Sequence, residues 1–217
     1  MLQILILASV ALFLFWRLYL VLGTRTGFEK NLNESKTNEP QSNVQNIKKE
    51  FNKESQEEDI SDYVELSSKL GKAFQKIKAV EPNFTVNNFV SGAKNAYELI
   101  LMGYEKGDLK VLEENLSEEV FKDFEKAVIE RADKGLVIES EFIGMREIRI
   151  KNVLFREKSN EAEITVAFKC DLTSIVRDKD DNIVEGNDRK IKKQNDIWTF
   201  GRIVGSEDPS WKLIATV

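Results

Sequence analysis

The sequence predicts an α+β protein in which an N-terminal apolar helix is followed by helices packed on an antiparallel sheet. Apolar residues recur at helical spacing from residue 61 to about residue 135. The period then drops to two, as in "EAEITVAFKCDL" at residues 161–172, where apolar and polar side chains alternate. A run of helices followed by a run of closely spaced strands is typical of an α+β layout with an antiparallel sheet.

Residues 1–22 form the predicted membrane-anchor helix. They are nearly all apolar, and a helix of this length measures about 30 Å, the thickness of a bilayer core. No positive residue precedes Arg17, which differs from the charge order of a secretory signal peptide. The predicted membrane-interface anchor comprises Trp16, Arg17, Tyr19 and Arg25. A spanning helix is favoured by hydrophobic length, and a helix lying in the membrane plane is the alternative.

The charges around this helix predict its orientation. Arg17, Arg25 and Lys30 all follow the apolar run, so the positive-inside rule puts the C-terminal domain on the cytoplasmic side. Residues 23–60 are rich in Asn, Glu, Lys, Ser and Gln, a composition that predicts a polar, largely disordered tether. We therefore expect the folded domain to cover residues 61–217.

Three apolar stripes predict the main helices of this domain. The first stripe runs from Tyr63 to Ile77 and the second from Phe89 to Tyr104. The third stripe follows a short helix of about residues 108–112. The capping and stop signals that bound these helices are Pro82, Thr85, Gly107, Asp108, Ser117 and Gly135.

Four segments predict the strands. "EAEITVAFKCDL" has the clearest alternation, and "REIRIKNVLF" before it alternates with a phase slip near Asn152 that indicates a β-bulge. "DIWTFGRIV" and "WKLIATV" predict two more strands. Cys170 lies on the apolar face of its strand, so we expect it to be a packed core residue and not a reactive thiol.

Composition excludes several kinds of function. The formal net charge is −5, which argues against nucleic acid as a main partner. The chain has no histidine, the commonest general base and zinc ligand, and its one cysteine excludes an internal disulfide. No metal, cofactor or catalytic residue is predicted.

The first predicted helix also carries a set of lysines near the membrane anchor. The candidate contacts to anionic lipid are Lys69, Lys72, Lys76 and Lys78. A solvated helix face is the alternative interpretation of these lysines. The apolar stripe of the same helix has two possible destinations, the folded domain or the lipid interface.

Several stretches together resemble the Tim44-like family, the peripheral subunit of the mitochondrial inner-membrane import translocase and its alpha-proteobacterial relatives. The helical half is similar in "FVSGAKNAYELILMGYEKGDLKVLEENLSEEVFKDF", which includes Gly107 and Asp108, and the membrane exit in "VLGTRTGFE". The sheet half is similar in "EITVAF", "IVEG", "DIWTFGR" and "WKLIAT". The resemblance covers the anchor and about residue 61 to residue 217.

The resemblance implies a curved sheet with helices across one face, a cone like that of nuclear transport factor two, with an apolar pocket. It also implies association with an inner membrane, here that of a bacterium. Partners would be membrane lipid and a protein of the translocon or chaperone class. The candidate ligand-pocket residues are Phe89, Tyr97, Phe168, Trp198, Phe200 and Trp211. Ordinary sheet aromatics are the alternative interpretation of Trp198, Phe200 and Trp211.

Two classes of function remain open at this point. The favoured class is a membrane-tethered binding or scaffold protein, with a role linked to protein translocation. The alternative is an enzyme, because cones of this shape sometimes hold a carboxylate base in an apolar pocket. The carboxylates considered for that role are Glu139, Glu141, Asp171 and Asp196.

Overall fold

The computed structural model describes residues 57–217, except for the side chains of Asp188 and Arg189. The predicted membrane anchor, its interface residues Trp16, Arg17, Tyr19 and Arg25, and nearly all of the tether lie outside the described residues. Within residues 57–217, no helix is both long and apolar enough to cross a bilayer.

Four helices follow a short helical segment at residues 57–61. They are α1 (Lys69–Val80), α2 (Val86–Lys106), α3 (Leu109–Asn115) and α4 (Glu118–Asp133). The predicted caps are confirmed: Thr85, Asp108 and Ser117 accept backbone N–H groups at the starts of α2, α3 and α4. Gly107 ends α2 at φ 72°, a left-handed conformation that glycine adopts without steric cost.

The sheet contains four antiparallel strands in the order β1-β2-β3-β4. The strands are β1 (Val137–Arg156), β2 (Glu161–Arg177), β3 (Ile183–Ile203) and β4 (Lys212–Thr216). The predicted bulge is confirmed by a register shift between Ile150 and Asn152. β1 and β3 each begin earlier than the sequence patterns predict. The sheet is curved and does not close.

All four helices follow one another before the sheet, and the core lies between the helices and one sheet face. On β2, alternate residues from Ala162 to Leu172 are no more than 1% exposed. From the helices, Phe74 and Ile77 of α1 and Tyr97 of α2 are fully buried in the same core. The apolar stripe of α1 therefore packs on the folded domain, the first of its two possible destinations.

The opposite face of the sheet carries ion pairs between neighbouring strands. β1 and β2 are joined there by three short pairs: Arg146–Asp171 at 2.8 Å, Lys169–Glu147 at 2.8 Å and Arg156–Glu163 at 2.6 Å. Opposite charges facing each other across strands add modest stability and keep that face solvated. The two faces of the sheet thus have different chemistry.

The core begins before residue 61. Ile60 is 1% exposed and belongs to the buried cluster. Asp59 forms an ion pair of 2.6 Å with Lys78 and accepts the backbone N–H groups of Val86 and Asn87 at 2.8 and 3.1 Å. The end of the predicted tether is therefore packed against α1 and the start of α2.

Candidate functional site

The clearest candidate site is a pocket of about 490 Å³ between the first half of α2 and the end of the sheet. We call this cavity the aromatic pocket. Its lining includes four aromatic residues, Phe84, Phe89, Phe200 and Trp211. The ring centroids of Phe89 and Trp211 lie 4.9 Å apart in an edge-to-face arrangement. Edge-to-face contact is a favoured arrangement of aromatic rings, so Phe89 and Trp211 stabilise each other in the wall of this pocket.

Different elements supply the four rings. Phe89 lies in the first turn of α2, Phe200 on the buried face of β3, and Phe84 and Trp211 in the segments just before α2 and β4. Small residues of α2 leave the space between them, because Gly92, Ala93 and Ala96 also line the pocket. A Cβ atom added at Gly92 would meet nothing within 4 Å. The cavity thus exists because the residues on this face of α2 have small side chains.

A charged pair forms one wall of the aromatic pocket. The Arg202 side chain is 7% exposed, and its guanidinium donates to a Glu81 carboxylate oxygen and lies 5.1 Å from the centre of the Trp211 ring. The hydrogen bond from Arg202 lowers the pKa of Glu81, and the Gly205 N–H contributes by donating at 3.0 Å. Glu81 is consequently ionised at neutral pH, and its charge is neutralised by Arg202.

The six predicted pocket aromatics are divided among three places. Phe89, Phe200 and Trp211 line the aromatic pocket. Trp198 lines a second cavity, and Tyr97 and Phe168 are buried between the two, stacked with centroids 4.4 Å apart. Sequence reasoning missed Phe84, Glu81 and Arg202. Phe84 and Glu81 lie in a connection between helices, where periodicity carries no information about contacts.

The second cavity, which we call the edge cleft, has a volume of about 470 Å³ and separates α4 from β3. Its residues are Leu101, Tyr104, Glu105, Asp123, Phe124, Ala127, Leu172, Lys192, Gln194 and Trp198. The Glu105 carboxylate is positioned by a hydrogen bond from β1, because the Ser140 hydroxyl donates to it at 2.6 Å. The cleft therefore combines an apolar floor with a polar rim.

A buried polar group links α2 to the sheet between the two cavities. The Tyr97 hydroxyl donates to the Asp196 carboxylate at 2.5 Å and lies 3.3 Å from the Cys170 sulfur. Burial, together with the hydrogen bond to Asp196, raises the pKa of Tyr97. Burial also raises the pKa of Cys170, so the thiol is protonated at neutral pH. The prediction that Cys170 is a packed core residue is confirmed.

The other carboxylates considered for catalysis lie apart from both cavities. Asp171 pairs with Arg146, and Glu139 pairs with Arg177 at 3.3 Å. Glu141 is exposed on β1. Among residues 57–217, no group of three or more potential metal ligands lies close enough to hold an ion.

The four predicted lipid-contact lysines have different surroundings. Lys69 and Lys72 are exposed on α1, and Lys76 is exposed while forming an ion pair of 2.6 Å with Glu157. Lys78 is different, because its side chain is only 4% exposed and its ammonium pairs with Asp59. The set available for contact with a membrane surface is thus reduced to Lys69, Lys72 and Lys76.

Comparison with known families agrees with this architecture. The profile of the Tim44-like domain matches residues 70–217, which is more than half of the chain. The chain belongs to the Tim44-like family. Membership indicates a membrane-associated, translocase-related scaffold that acts through protein or membrane interactions. No curated protein matches the chain.

Solved structures give more distant likenesses. The crystal structure of the intermembrane space region of the chloroplast protein ARC6 aligns over 59% of this chain and 94% of its own, with 13% identity and a TM-score of 0.41. The solution structure of a de novo β-sheet design aligns over 61% of this Tim44-like chain and 88% of its own, with 15% identity and a TM-score of 0.24.

Proposed function

We propose that this Tim44-like protein is a membrane-tethered binding and scaffold protein whose aromatic pocket holds an apolar chain of a membrane lipid. The observation that carries the proposal is the pocket itself, about 490 Å³ in volume and lined by Phe84, Phe89, Phe200 and Trp211. That volume lies in the usual range of roughly 300–1,000 Å³ for small-molecule sites. Burial of an alkyl chain contributes about 0.8 kcal/mol per methylene, so affinity there needs few directional contacts.

The polar wall of the pocket also favours an uncharged chain. Arg202 and Glu81 neutralise each other, and Arg202 further donates to the Pro209 carbonyl at 3.0 Å. A charged ligand group would have to replace a partner of the Glu81 carboxylate or of the two terminal nitrogens of Arg202; the buried Nε of Arg202 has no hydrogen-bond partner among the described residues. An alkyl chain leaves these contacts intact and covers the exposed parts of the rings.

The anchor and its tether would keep this domain beside the membrane that supplies the lipid. We propose the cytoplasmic side of a bacterial inner membrane, from the charges that follow the apolar run. A protein partner of the translocon or chaperone class fits the scaffold role of the family. Alkaline carbonate extraction tests the anchor: we expect the protein in the membrane pellet, and its release into the supernatant would contradict an inserted helix.

The alternative, an enzyme that uses a pocket carboxylate, has less support. Glu81 is the carboxylate at the aromatic pocket, and its pKa is lowered. A general base or acid working near neutral pH needs a pKa raised towards 7. Asp196 is already bonded to Tyr97 and Gln194, at 2.5 and 3.0 Å.

Filling the pocket tests the proposal. Gly92→Leu places a side chain into the open space beside α2, and it raises helix propensity by roughly 1 kcal/mol, so lost binding would not reflect a weakened helix. Gly144→Leu is the matched control, because a Cβ atom at Gly144 on β1 also meets nothing within 4 Å. The probe is a long-chain fatty acid that carries a spin label on the chain and quenches Trp211 fluorescence.

The measurement uses full-length protein with Trp16→Phe, so that the anchor tryptophan does not report. We expect saturable quenching in the parent protein and in Gly144→Leu, and binding at least about tenfold weaker in Gly92→Leu. Trp211→Phe should remove most of the signal. Equal quenching of the parent and Gly92→Leu would contradict binding in this pocket.

A further inference from the structure

The outer edge of β3 is only partly covered. β4 pairs with β3 from Trp198 to Gly201, and Val217, which follows β4, extends the pairing to Ile197. The preceding part of β3, from Ile183 to Asp196, pairs with β2 on one side except at residues 188–191, where the register shifts, and has no strand among residues 57–217 on the other. Within it, residues 192–196 pair with β2 without a register shift, so their backbone is a regular strand edge.

The backbone groups on this edge point towards the place that a further strand would occupy. Ile197 and Val217 exchange both backbone hydrogen bonds, at 3.4 and 2.9 Å, so the N–H and C=O of Ile197 face the β4 side. Alternate residues of a strand direct these groups to the same side, which assigns Lys193 and Asn195 to the same edge. No partner among the described residues accepts or donates there. The edge therefore offers hydrogen bonds in line with β4.

The edge cleft lies along the same stretch of β3. Lys192 and Gln194 line it from the strand, Trp198 forms part of its floor, and Phe124 and Ala127 of α4 form the opposite wall. An extended peptide paired with β3 would direct every second side chain towards this cleft. The remaining side chains would point to the opposite face of the sheet, beside Lys193.

The positive charge on this edge favours a peptide that carries acidic side chains. Lys190, Lys192 and Lys193 are exposed, and no ion pair joins any of them to a carboxylate of the described residues. The cleft carboxylates Glu105 and Asp123 lie on the helices and not on the strand. A second copy of the chain is disfavoured as occupant, because its own lysines would face these lysines.

We propose that the β3 edge at residues 192–196 binds an extended segment of a partner protein in which apolar residues alternate with acidic ones. The main chain of the segment extends the sheet, its apolar side chains enter the edge cleft, and its carboxylates face Lys193. Strand addition of this kind takes affinity from backbone hydrogen bonds and specificity from pockets for alternate side chains. The site is separate from the aromatic pocket and does not depend on lipid binding.

Edge lysines have a second explanation, since they also protect exposed strands from unwanted pairing. Three short capped peptides separate the two explanations. The probe alternates phenylalanine or valine with aspartate, the charge control has lysine in place of aspartate, and the backbone control is the probe with alternate amides N-methylated. Titration calorimetry measures their binding to the full-length protein in nanodiscs of zwitterionic lipid.

We expect the probe to bind, and both controls to bind at least about tenfold more weakly. Lys193→Glu should weaken the probe by a similar factor, whereas Lys158→Glu, an exposed lysine in the β1–β2 turn, should not. Ala127→Phe should reduce probe binding by filling the cleft. The N-methylated peptide tests the backbone contacts on the unaltered protein, so the result does not depend on any variant folding.

Three results would overturn the proposal. Probe binding that survives N-methylation would mean that the peptide does not extend the sheet. Equal binding of the lysine peptide would remove the role assigned to Lys193. No binding of the probe at millimolar concentration would mean that the lysines protect the edge and do not recruit a partner.

Discussion

Replacing Asp59 should destabilise the domain more than its position at the end of the predicted polar tether would indicate. Its carboxylate accepts the first two N–H groups of α2, those of Val86 and Asn87, and pairs with Lys78 at 2.6 Å. The side chains of Asp59 and Lys78 are 13% and 4% exposed. A single carboxylate therefore joins α1, α2 and the short helical segment at residues 57–61.

The magnitude follows from these contacts. Loss of a carboxylate that accepts N–H groups at a helix N-terminus costs about 1 kcal/mol. Removing one partner of a buried ion pair costs about 3–5 kcal/mol, because the other charge stays buried without it. We expect Asp59→Ala to cost about 3–5 kcal/mol in total, since Lys78 has a further interaction that absorbs part of the loss. Lys78→Met should cost less, because Asp59 keeps its two backbone donors.

The effect should depend on pH. Burial acts to raise the pKa of Asp59, but the hydrogen bonds from Lys78, Val86 and Asn87 outweigh burial and lower it below its ordinary value. A lowered folded pKa stabilises the protein above the unfolded pKa of about 3.9, and this contribution is lost as pH falls through the folded pKa. The difference between the parent and Asp59→Ala should thus be full at pH 7 and shrink as the pH falls below about 4.

Urea denaturation of a fragment of residues 44–217, which contains all of the described residues, measures both quantities. Asp59→Asn is the second variant, because it keeps the size of the side chain and removes its charge. A cost below about 1 kcal/mol for Asp59→Ala would show that the pair with Lys78 is not formed in solution. A cost that stays constant from pH 7 to pH 3 would refute the assignment of the effect to the ionised carboxylate.

Two further predictions concern the sheet and the membrane surface. Phe168→Ala should lower the free energy of unfolding by about 3–5 kcal/mol in urea denaturation, because Phe168 is 1% exposed. Thr165→Ala, on the ion-paired face, should lower it by about 1 kcal/mol or less. Equal costs would contradict the assignment of the two faces. A fragment of residues 44–217 should co-sediment with anionic vesicles at low salt and be released as the salt concentration rises. Changing Lys69, Lys72 and Lys76 to Glu should abolish that binding with little change in Tm. Binding that is unaffected by salt or by these changes would exclude the lysines as the contact.

Local signals predicted most of the regular structure. Thr85, Asp108 and Ser117 are capping residues at the helix starts, and each makes the expected bond within three residues of itself. The alternation along β2 is clear because one face is fully buried and the other is not. These features depend on neighbouring residues, which is why a single sequence is enough to find them.

Features that depend on distant contacts were not accessible in the same way. Lys78 shares helix α1 with three exposed lysines, yet it is buried and forms an ion pair with Asp59. Asp59 lies in a stretch whose composition predicts a tether, so this contact is not visible in the sequence. The middle of β3 contains "KIKKQN", where exposure removes the hydrophobic alternation that marks a strand. Periodicity predicts which face is apolar, but it does not predict which aromatics on that face line a cavity and which fill the core.

The two proposed sites occupy opposite halves of α2, and the core between them explains why they can be tested separately. The aromatic pocket uses Phe89 and Phe200, whereas the edge cleft uses Trp198 and the second half of α2. Tyr97 lies between them, fully buried, stacked on Phe168 and bonded to Asp196. A densely packed core relaxes little around a side chain added at a distant surface. The pocket-filling variant therefore serves as a control for the peptide experiment, and reversal of the edge charge serves as a control for the lipid experiment.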